Sequence, residues 1–381
     1  MRARVCIVTS AHPVSDPRVV LKQAYSIRNA GYPVTLLAQV DGKVDLANIE
    51  VVGFRKPKSR IWRMLSISYQ MIRTAIKLNA DIYHMHDPEL LPWSIVIKKI
   101  RRKVIVFDFH ENFKKDVSNR YYLPPAVQKG VKIIYGIIEK LSLKFVDYII
   151  LAEDSYARDY NYANASVIHN YPILRSMHSI TRGNDNNCST LNIAIVGQIS
   201  LFRGYVEALK ALAQLVNEGY KNIRLRFIGA FENDEVKSDF LELVTALQLG
   251  NFVDTHGQVS HDEVFQLLHE SDLGLSLLHP IPNYIESFPT KIFEYYLSGM
   301  PVISSNFKYL EDVVTAENCG KMIDPTSVDS IVDAMKYFSD NPKEMKTMGE
   351  NGRRMVLSKY NWAREEVKLI SIYNSLTDKY L

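Results

Sequence analysis

Short runs of β-branched and other apolar residues alternate with longer amphipathic segments along almost the whole chain. In the first half the short runs predict strands, at 5–9, 34–38, 50–54, 81–85, 103–107, 148–151 and 166–169. Segments such as 19–30, 64–78 and 128–144 have the length and spacing of helices between them. This alternation predicts a parallel sheet with helices on both faces.

The pattern is interrupted once, at 175–190, where the residues are polar and lack periodicity, as in a linker. The second half again contains strand-like runs, at 191–196, 224–228, 252–255, 273–277 and 302–304. Aliphatic residues at helical spacing over 362–380 predict a terminal helix. The chain is therefore expected to form two doubly wound α/β domains, 1–185 and 190–360.

Length and composition agree with a soluble protein of two domains. The chain has 381 residues, of which 47% are hydrophobic and 23% charged. It contains no apolar run of the roughly 18 residues that a membrane span needs, and its first apolar stretch ends at Thr9, too early for a signal peptide. Cys6, Cys188 and Cys319 lack metal-ligand spacing, which indicates reduced thiols and a cytoplasmic protein.

Charge is distributed unevenly along the chain. Residues 1–180 contain 27 Lys/Arg and 15 Asp/Glu, a net charge of +12, and the remainder has a net charge of −8. The asymmetry favours contact between the first half and an anionic membrane surface, and no nucleic-acid-binding motif accompanies it. Taken alone, the basic segment 126–145 is better explained as a helix that packs on the core with its lysines in water.

The segment 284–305, YIESFPTKIFEYYLSGMPVISS, contains the most chemically informative pattern. Pro289 suits the first turn of a helix that ends near Gly299. Glu286 then precedes the helix and Glu294 lies one turn inside it, while Lys291 adds a positive charge to the helix start. A helix N-terminus with a lysine suits phosphate, and two carboxylates suit the diols of a sugar and a ribose. The alternative is that Glu286 complements the helix dipole and Glu294 faces solvent.

Three other places follow predicted strands, where open parallel sheets bind ligands. In VGQISLFRG (196–204), Gly197 allows a sharp turn and Arg203-Gly204 opens a helix, so that Arg203 suits a diphosphate. The segment 108–112, DFHEN, follows the strand at 103–107. Taken alone, a histidine at a strand end, here His110, is more often a structural hydrogen-bonding residue than a ligand contact. Glu111 and Asn112 are weaker candidates, either as acceptor contacts or as helix caps.

Two Asp-Pro pairs follow strands in the first half. Asp16 and Asp87, each before a proline, are predicted to cap helices. Arg18, His86 and Glu89 in the same two loops are candidate acceptor contacts.

The segment with Glu286-Ser-Phe-Pro, Glu294, Gly299 and Pro301-Val302 in register resembles the Glu-x7-Glu signature of retaining glycosyltransferases with the GT-B fold, of the glycosyltransferase family 4 type. The P-[ST]-K-x-x-E-Y pattern resembles the subgroup of bacterial surface-polysaccharide enzymes. The resemblance covers essentially the whole chain. It implies two Rossmann-like domains facing a central cleft, with the acceptor on 1–185, the nucleotide sugar on 190–360 and the terminal helix 362–381 packed back on the first domain.

The resemblance also implies roles for single residues. Glu286 would contact the transferred sugar and Glu294 the ribose. The resemblance also implies contacts to the sugar or the phosphates from Ser287, Phe288, His110, Gly197, Arg203 and Gly204. The family has a second basic residue where this chain has Gln198, and we expect Lys291 to compensate for it.

The expected activity is a metal-independent, hexosyltransferase-like retaining transfer from a UDP- or GDP-linked sugar to a lipid-linked saccharide acceptor, in lipopolysaccharide or capsule synthesis. No Asp-x-Asp, Gly-x-Gly-x-x-Gly or Walker motif is present, so neither a metal nor another cofactor is expected. A peripheral position on the inner face of the cell membrane follows from the basic first half. The alternatives are a nucleotide-sugar epimerase and a catalytically silent partner in a polysaccharide assembly complex.

Overall fold

The computed structural model describes residues 2–40, 42, 44–55, 62–110, 113, 117, 124–159, 162–174, 190–282 and 284–380. Glu111, Asn112, Cys188 and most of the predicted linker lie outside them. The chain forms two compact units, which we call unit 1 (residues 1–170 and 362–381) and unit 2 (residues 171–361).

Unit 1 is built on a parallel sheet. Its described strands are β1 Val5–Pro13, β2 Val34–Gln39, β3 Glu50–Phe54, β4 Ile82–Met85, β5 Val104–Phe109, β6 Tyr148–Leu151 and β7 Ala165–Val167. They are hydrogen-bonded in the order β3-β2-β1-β4-β5-β6-β7. The central strands β4 and β5 are buried along their whole length, because helices cover both faces of the sheet.

The helices of unit 1 connect these strands. They are α1 Tyr25–Asn29, α2 Ser68–Leu78, α3 Trp93–Arg101, α4 Pro125–Ser142 and α5 Asp154–Asp159. π-helical segments Pro17–Ala24 and Arg63–Ile67 lead into α1 and α2, and a 3-10 turn, Leu143–Phe145, follows α4. Asp16 caps the first π-helical segment, as predicted, by accepting a hydrogen bond from the Val19 amide.

Unit 2 repeats the architecture with a smaller sheet. Its described strands are β8 Leu191–Val196, β9 Ile223–Ile228, β10 Val253–Thr255, β11 Leu273–Ser276, β12 Val302–Ser305 and β13 Gly320–Ile323. They are parallel and run in the order β10-β9-β8-β11-β12-β13. The helices are α6 Tyr205–Asn217, α7 Asp234–Ala246, α8 His261–His269, α9 Thr290–Leu297, α10 Glu311–Val314, α11 Val328–Asp340 and α12 Pro342–Ser358. 3-10 turns occupy Leu201–Arg203 and Lys308–Leu310.

The last helix, α13 Trp362–Tyr380, belongs to unit 1 although the chain reaches it from unit 2. The Trp362 indole donates a hydrogen bond to Ser26 Oγ at 2.9 Å, and Tyr32 donates one to Asn374 at 2.8 Å. Tyr373 is fully buried. Apolar and polar contacts thus hold this helix on the π-helical and α1 side of the sheet of unit 1.

Helix α4 presents its apolar side to the outside. It buries Tyr135, Glu139 and Ser142, which lie three to four residues apart on one face. Six aliphatic side chains of the helix are exposed, by 38–62%: Val127, Ile133, Ile134, Ile137, Ile138 and Leu141. The prediction that this helix packs its apolar face on the core is therefore wrong. Among the described residues, no helix has the length and apolar character that crossing a bilayer requires.

Candidate functional site

In unit 2 the loops after β8 and β9 each begin with a glycine, and the two glycines are in close contact. Gly197 follows β8 with φ +108°, and its amide donates a hydrogen bond to the Ile228 carbonyl at 2.9 Å. Gly229 follows β9 with φ +152°, and a Cβ at this position would collide with the carbonyl of Gly197. Both positions require glycine, so the surface at the carboxyl ends of these strands is backbone.

Arg203 lies over this backbone surface. The 3-10 turn Leu201–Arg203 ends at Gly204, whose φ of +74° starts α6, and a Cβ there would lie 2.6 Å from the Leu277 carbonyl oxygen. A Cβ on Gly197 would lie 2.8 Å from Nη1 of Arg203, so the guanidinium occupies the space that a side chain would take. The Nε atom of Arg203 is buried, and no partner for it lies in the described part of the chain.

Lys291 brings a second cation to the same place. It lies in the first turn of α9, is 8% exposed, and has its pKa lowered to about 7. Burial is the main cause; the charge of Arg203 lowers the pKa further, and Glu294 opposes both. The charges of Arg203 and Glu294 therefore act on Lys291, although Lys291 is 88 residues from Arg203 in sequence. A bound anion would stabilise the protonated form of this lysine.

The start of α9 has no side-chain cap. Pro289 was predicted to lie in the first turn of this helix, but it is the N-cap residue, and the first helical residue is Thr290. Ser287 donates its amide to the Tyr284 carbonyl at 3.3 Å, and Phe288 packs on Tyr309 and Phe293. Glu286 is half-buried in the loop before the helix. The helix ends at Leu297, followed by Gly299 at φ +74°, as predicted.

Tyr295, which sequence analysis passed over, fixes α9 on the sheet. Its hydroxyl accepts a hydrogen bond from the Val196 amide at 2.8 Å and donates one to the Leu275 carbonyl at 3.3 Å. Its ring lies on Gly274, where a Cβ would collide with it. The tyrosine next to Glu294 thus joins the ends of β8 and β11 to the helix that carries the glutamate.

In unit 1 the corresponding place is organised around a buried carboxylate, that of Asp108 on β5. Arg18 donates to both its oxygens at 2.9–3.2 Å, and Gln23 donates to Oδ2. Burial alone would raise the pKa of Asp108, but chiefly the charge of Arg18 holds it well below its ordinary value. Arg18 also donates to the Ile168 carbonyl at 2.9 Å and is 4% exposed. The guanidinium of Arg18 is buried and hydrogen-bonded within unit 1, so the prediction that Arg18 contacts an acceptor is wrong.

Histidines surround this carboxylate. His86 Nδ1 lies 2.7 Å from His110 Nε2, and the two atoms are 3.7 and 3.5 Å from Asp108 Oδ2. His84 stacks on His86 with ring centroids 4.4 Å apart, and its Nδ1 bonds the Tyr373 hydroxyl at 2.8 Å. His86 is 1% exposed, so it too reaches no acceptor directly.

His12, also missed by sequence analysis, lies on the exposed side of this cluster. Its Nδ1 is 3.0 Å from Asp16 Oδ2 and its Nε2 is 3.4 Å from Asp87 Oδ1. Its ring centroid is 4.8 Å from that of His110. The residue could have been found from its position after the first strand, the position that drew attention to Asp16.

Asp87 does not cap a helix, and that prediction is wrong. Its carboxylate accepts hydrogen bonds from the Thr9 hydroxyl at 2.9 Å and from the Ala11 amide at 3.1 Å. Helix α3 begins six residues later, after Pro92. The nearby Glu89 accepts from the Ser10 hydroxyl at 3.0 Å. Both acids therefore hold the last part of β1 in place.

His84, His86 and Asp108 each have a potential metal-ligand atom, and these three atoms lie within 4.8 Å of one another, close enough to bind one metal ion. The guanidinium of Arg18 already neutralises both oxygens of the carboxylate and would repel a divalent cation. Tyr373 occupies one nitrogen of His84. The group is a hydrogen-bond network rather than a fitting set of metal ligands.

Family models match both units. The model of glycosyl transferases group 1 matches residues 184–355, and that of Glycosyltransferase Family 4 matches residues 17–170. MMP alpha-(1->4)-mannosyltransferase of Mycolicibacterium hassiacum is 25% identical over 382 residues, 94% of this chain and 86% of that protein. The chain belongs to the family 4 type of glycosyltransferases with the GT-B fold, as the sequence predicted, and is a transferase.

Two further similarities are informative. The capsular polysaccharide biosynthesis glycosyltransferase CapM of Staphylococcus aureus is 24% identical over 190 residues, 48% of this chain and 46% of that protein. The structure of HepE from Anabaena in complex with UDP and glucose has a TM-score of 0.75 at 14% identity, and the match covers 98% of this chain and all of that one. The second similarity concerns the fold alone.

Proposed function

We propose that this glycosyltransferase moves a sugar from a UDP- or GDP-linked donor, bound by unit 2, to a saccharide acceptor bound by unit 1. The observation that carries the proposal is the pair of cations, Arg203 and buried Lys291, at the uncapped start of α9. CapM and HepE support a role in surface-polysaccharide synthesis and a nucleotide-linked donor.

The donor is oriented by the groups around α9. Glu286 contacts the transferred sugar and Glu294 the ribose diol, since a carboxylate accepts hydrogen bonds from hydroxyls. Backbone groups of Ser287 and Phe288 contact the sugar or the phosphates, and the glycine surface at Gly197 lets the donor approach the sheet.

The same groups promote departure of the diphosphate. Negative charge grows on the leaving oxygen as the glycosidic bond breaks, and Arg203, Lys291 and the N-terminus of α9 stabilise it. These fixed charges make a metal unnecessary, so EDTA should leave the rate unchanged. His110 contacts the sugar from unit 1, and the reaction retains the anomeric configuration, which NMR of the product would test.

A donor screen is the direct test. Thermal unfolding is measured with UDP- and GDP-sugars, since a ligand stabilises the state that it binds. One nucleotide sugar should raise the unfolding temperature and be consumed with a saccharide acceptor, and Glu286→Gln should abolish transfer. A protein that no nucleotide sugar stabilises would contradict the proposal. Isomerised donor without acceptor would indicate an epimerase, and polymer formation by a complex containing Glu286→Gln would indicate a silent partner.

The exposed face of α4 supports a second proposal, a peripheral position on the inner face of the cell membrane. Ile133, Ile134 and Ile137 are 55–62% exposed, and Lys129 and Lys140 on the same helix are exposed with them. Aliphatic groups in the interface and lysines at anionic headgroups are what hold an amphipathic helix on a bilayer. A lipid-linked acceptor would then lie in the same membrane as the enzyme.

Flotation with vesicles of anionic and of neutral phospholipid tests this surface. The protein should float with anionic vesicles at low salt, and the double variant Ile134→Ser with Ile137→Ser should not. Leu357→Ser is the control, because Leu357 is 50% exposed but lies in unit 2. Equal flotation of all three proteins, or none at all, would contradict membrane contact through α4.

A further inference from the structure

His86 and His110 each lie beyond the carboxyl end of a central strand of unit 1. His86 follows Met85, the last residue of β4, and His110 follows Phe109, the last of β5. The two strands are parallel neighbours, with Met85 opposite Phe107. The rings meet edge to face with centroids 4.9 Å apart, and their facing nitrogens are 2.7 Å apart. At that distance they form a hydrogen bond that contains a single proton.

Burial decides the charge of His86. Its pKa is held well below the ordinary value, chiefly by burial and then by the neighbouring His84 and His110. The ring is therefore neutral and has one proton to place, on Nδ1 or on Nε2. The charged groups nearby are the Asp108 carboxylate, 3.7 Å from Nδ1, and the Arg18 guanidinium that is bound to that carboxylate.

The surroundings of the two nitrogens favour Nδ1. The Nε2 atom of His86 is buried, and no hydrogen-bond partner for it lies among the described residues. A proton there would be an unsatisfied buried donor, which costs about 1–3 kcal/mol. A proton on Nδ1 has His110 as acceptor, while the Asp108 carboxylate does not discriminate, since its Oδ2 lies 3.7 Å from His86 Nδ1 and 3.5 Å from His110 Nε2. His86 is therefore the donor, and His110 accepts through Nε2.

The consequence for His110 is a fixed tautomer. A neutral ring that accepts through Nε2 has its proton on Nδ1, the nitrogen that faces away from His86. We propose that His86 is a positioning residue that holds His110 in this tautomer, so that His110 offers an N–H donor to a hydroxyl of the substrate. The role toward a substrate rests on the function proposed above, while the tautomer itself does not.

The tautomer can be measured without any substrate. In protein labelled with 15N-histidine, two-bond 1H–15N correlations distinguish a protonated from an unprotonated ring nitrogen. The His86 and His110 signals among the ten histidines are assigned by their loss in His86→Asn and His110→Asn. We expect protonated Nδ1 and unprotonated Nε2 in both rings. A protonated Nε2 in His110 would overturn the proposal whatever reaction the enzyme catalyses.

Kinetics of two His86 variants test the positioning role. His86→Leu removes the donor, whereas the amide of His86→Asn restores an N–H where Nδ1 was. His86→Leu should lose the preference for the Nδ1 tautomer in His110 and lower kcat about tenfold, the effect of one misoriented hydrogen bond. Affinity for UDP or GDP without a sugar should stay the same, because the proposed contacts to the nucleotide and its phosphates all come from unit 2. His86→Asn should recover most of kcat and the wild-type His110 spectrum.

Tyr83→Phe is the matched control for lost stability. Tyr83 lies on the same strand, is fully buried, and donates one hydrogen bond, to the Ala75 carbonyl at 3.1 Å. It should unfold more easily than wild type yet transfer sugar at the wild-type rate. If His86→Leu kept both kcat and the His110 spectrum, or if Tyr83→Phe lost as much kcat as His86→Leu, the positioning role would be wrong.

Discussion

In unit 1 the buried carboxylate of Asp108 is met by the guanidinium of Arg18 at 2.9 Å, whereas in unit 2 the buried ammonium of Lys291 lies near a second cation, Arg203. Both arrangements lie at the carboxyl ends of parallel strands, where such sheets bind ligands. Both pKa values are lowered, but for different reasons. The pKa of Asp108 falls because the charge of Arg18 outweighs the effect of burial, and that of Lys291 falls because burial, and then the like charge of Arg203, disfavour its proton.

The charged groups of unit 1 are paired without a ligand, whereas the two cations of unit 2 have no ion pair in the described part of the chain. The network of unit 1 satisfies its own charges, so its side chains are held in place before any substrate arrives. The cations of unit 2 raise the free energy of the unliganded protein and lower it again when an anion binds. If the proposed function is right, unit 1 provides orientation, and unit 2 provides the binding energy for a charged leaving group.

The largest effect is expected from breaking the balance in unit 1. Asp108→Asn leaves the charge of Arg18 buried without a counter-charge, which should lower the free energy of unfolding by about 3–5 kcal/mol. All three tryptophans, Trp62, Trp93 and Trp362, belong to unit 1, so tryptophan fluorescence during urea unfolding reports on this unit.

Asp81→Asn is the control for this variant. Asp81 pairs with Lys103 at 2.8 Å, but both side chains are 24% exposed, so the loss should be about 1 kcal/mol. Equal losses in Asp108→Asn and Asp81→Asn would mean that the network around Asp108 is no more important than a surface pair.

The sequence predicted the fold class because strands of a parallel sheet are apolar on both faces and so read as short uniform runs. It predicted the segment from Glu286 to Glu294 because that part of the site is local, within one loop and one helix. It did not show which side of α4 is covered, because the periodicity that places Ile134 and Tyr135 on different faces says nothing about which face is buried. The exposed apolar face was therefore unexpected.

The network of unit 1 escaped sequence analysis because its members are far apart in the chain. Arg18 and Asp108 are separated by 90 residues, and Tyr373 and His84 by 289. The available signal was a carboxylate inside the otherwise apolar strand VIVFDF, since a buried charge requires a partner. Asp87 was misassigned as a helix cap because the Asp-Pro pair is local, while the Ala11 amide that it binds is 76 residues away.

Replacement of Lys291 in unit 2 should have opposite effects on stability and on donor binding. Lys291→Met removes a buried charge while keeping the volume, so the unliganded protein should gain about 1 kcal/mol or more in its free energy of unfolding. Donor affinity should fall about 10- to 100-fold, the effect of one charge-assisted contact to phosphate. Arg203→Ala should weaken donor binding about as much. Thermal unfolding and calorimetric titration with the donor found by the screen would measure both quantities.

The pH dependence of donor binding is the control for Lys291. Because its pKa is about 7 in the unliganded protein, binding an anion above that pH requires uptake of a proton, and affinity should fall as pH rises. Lys291→Met should lose this dependence. If Lys291→Met bound the donor as tightly as the wild type at every pH, Lys291 would not contact the diphosphate.

The smallest expected effect is a pair of opposite pH slopes in stability. Burial alone would lower the pKa of His169 in unit 1, but hydrogen bonds to Asp154 and Glu365 raise it to about 9. Because the folded state binds this proton more tightly, the stabilisation is complete below pH 6.5 and disappears as pH rises to about 9. Lys291 changes the stability in the opposite direction. Its pKa is about 7 in the folded protein and 10.5 in the unfolded chain, so unit 2 gains stability as pH rises from about 7 to 10.5.

Tryptophan fluorescence would follow the decline in unit 1, on the order of 1 kcal/mol, and His169→Gln should flatten it. Lys291→Met should leave that curve unchanged and remove the rise in unit 2, measured by the second transition in calorimetry. His169 lies just before the chain leaves unit 1 after Asn170, and Glu365 lies just after the chain returns to unit 1 at Trp362. The contact between His169 and Glu365 therefore joins the two segments of unit 1 that flank unit 2. A His169→Gln variant with an unchanged slope would show that this contact does not hold the proton and that the decline in unit 1 has another source.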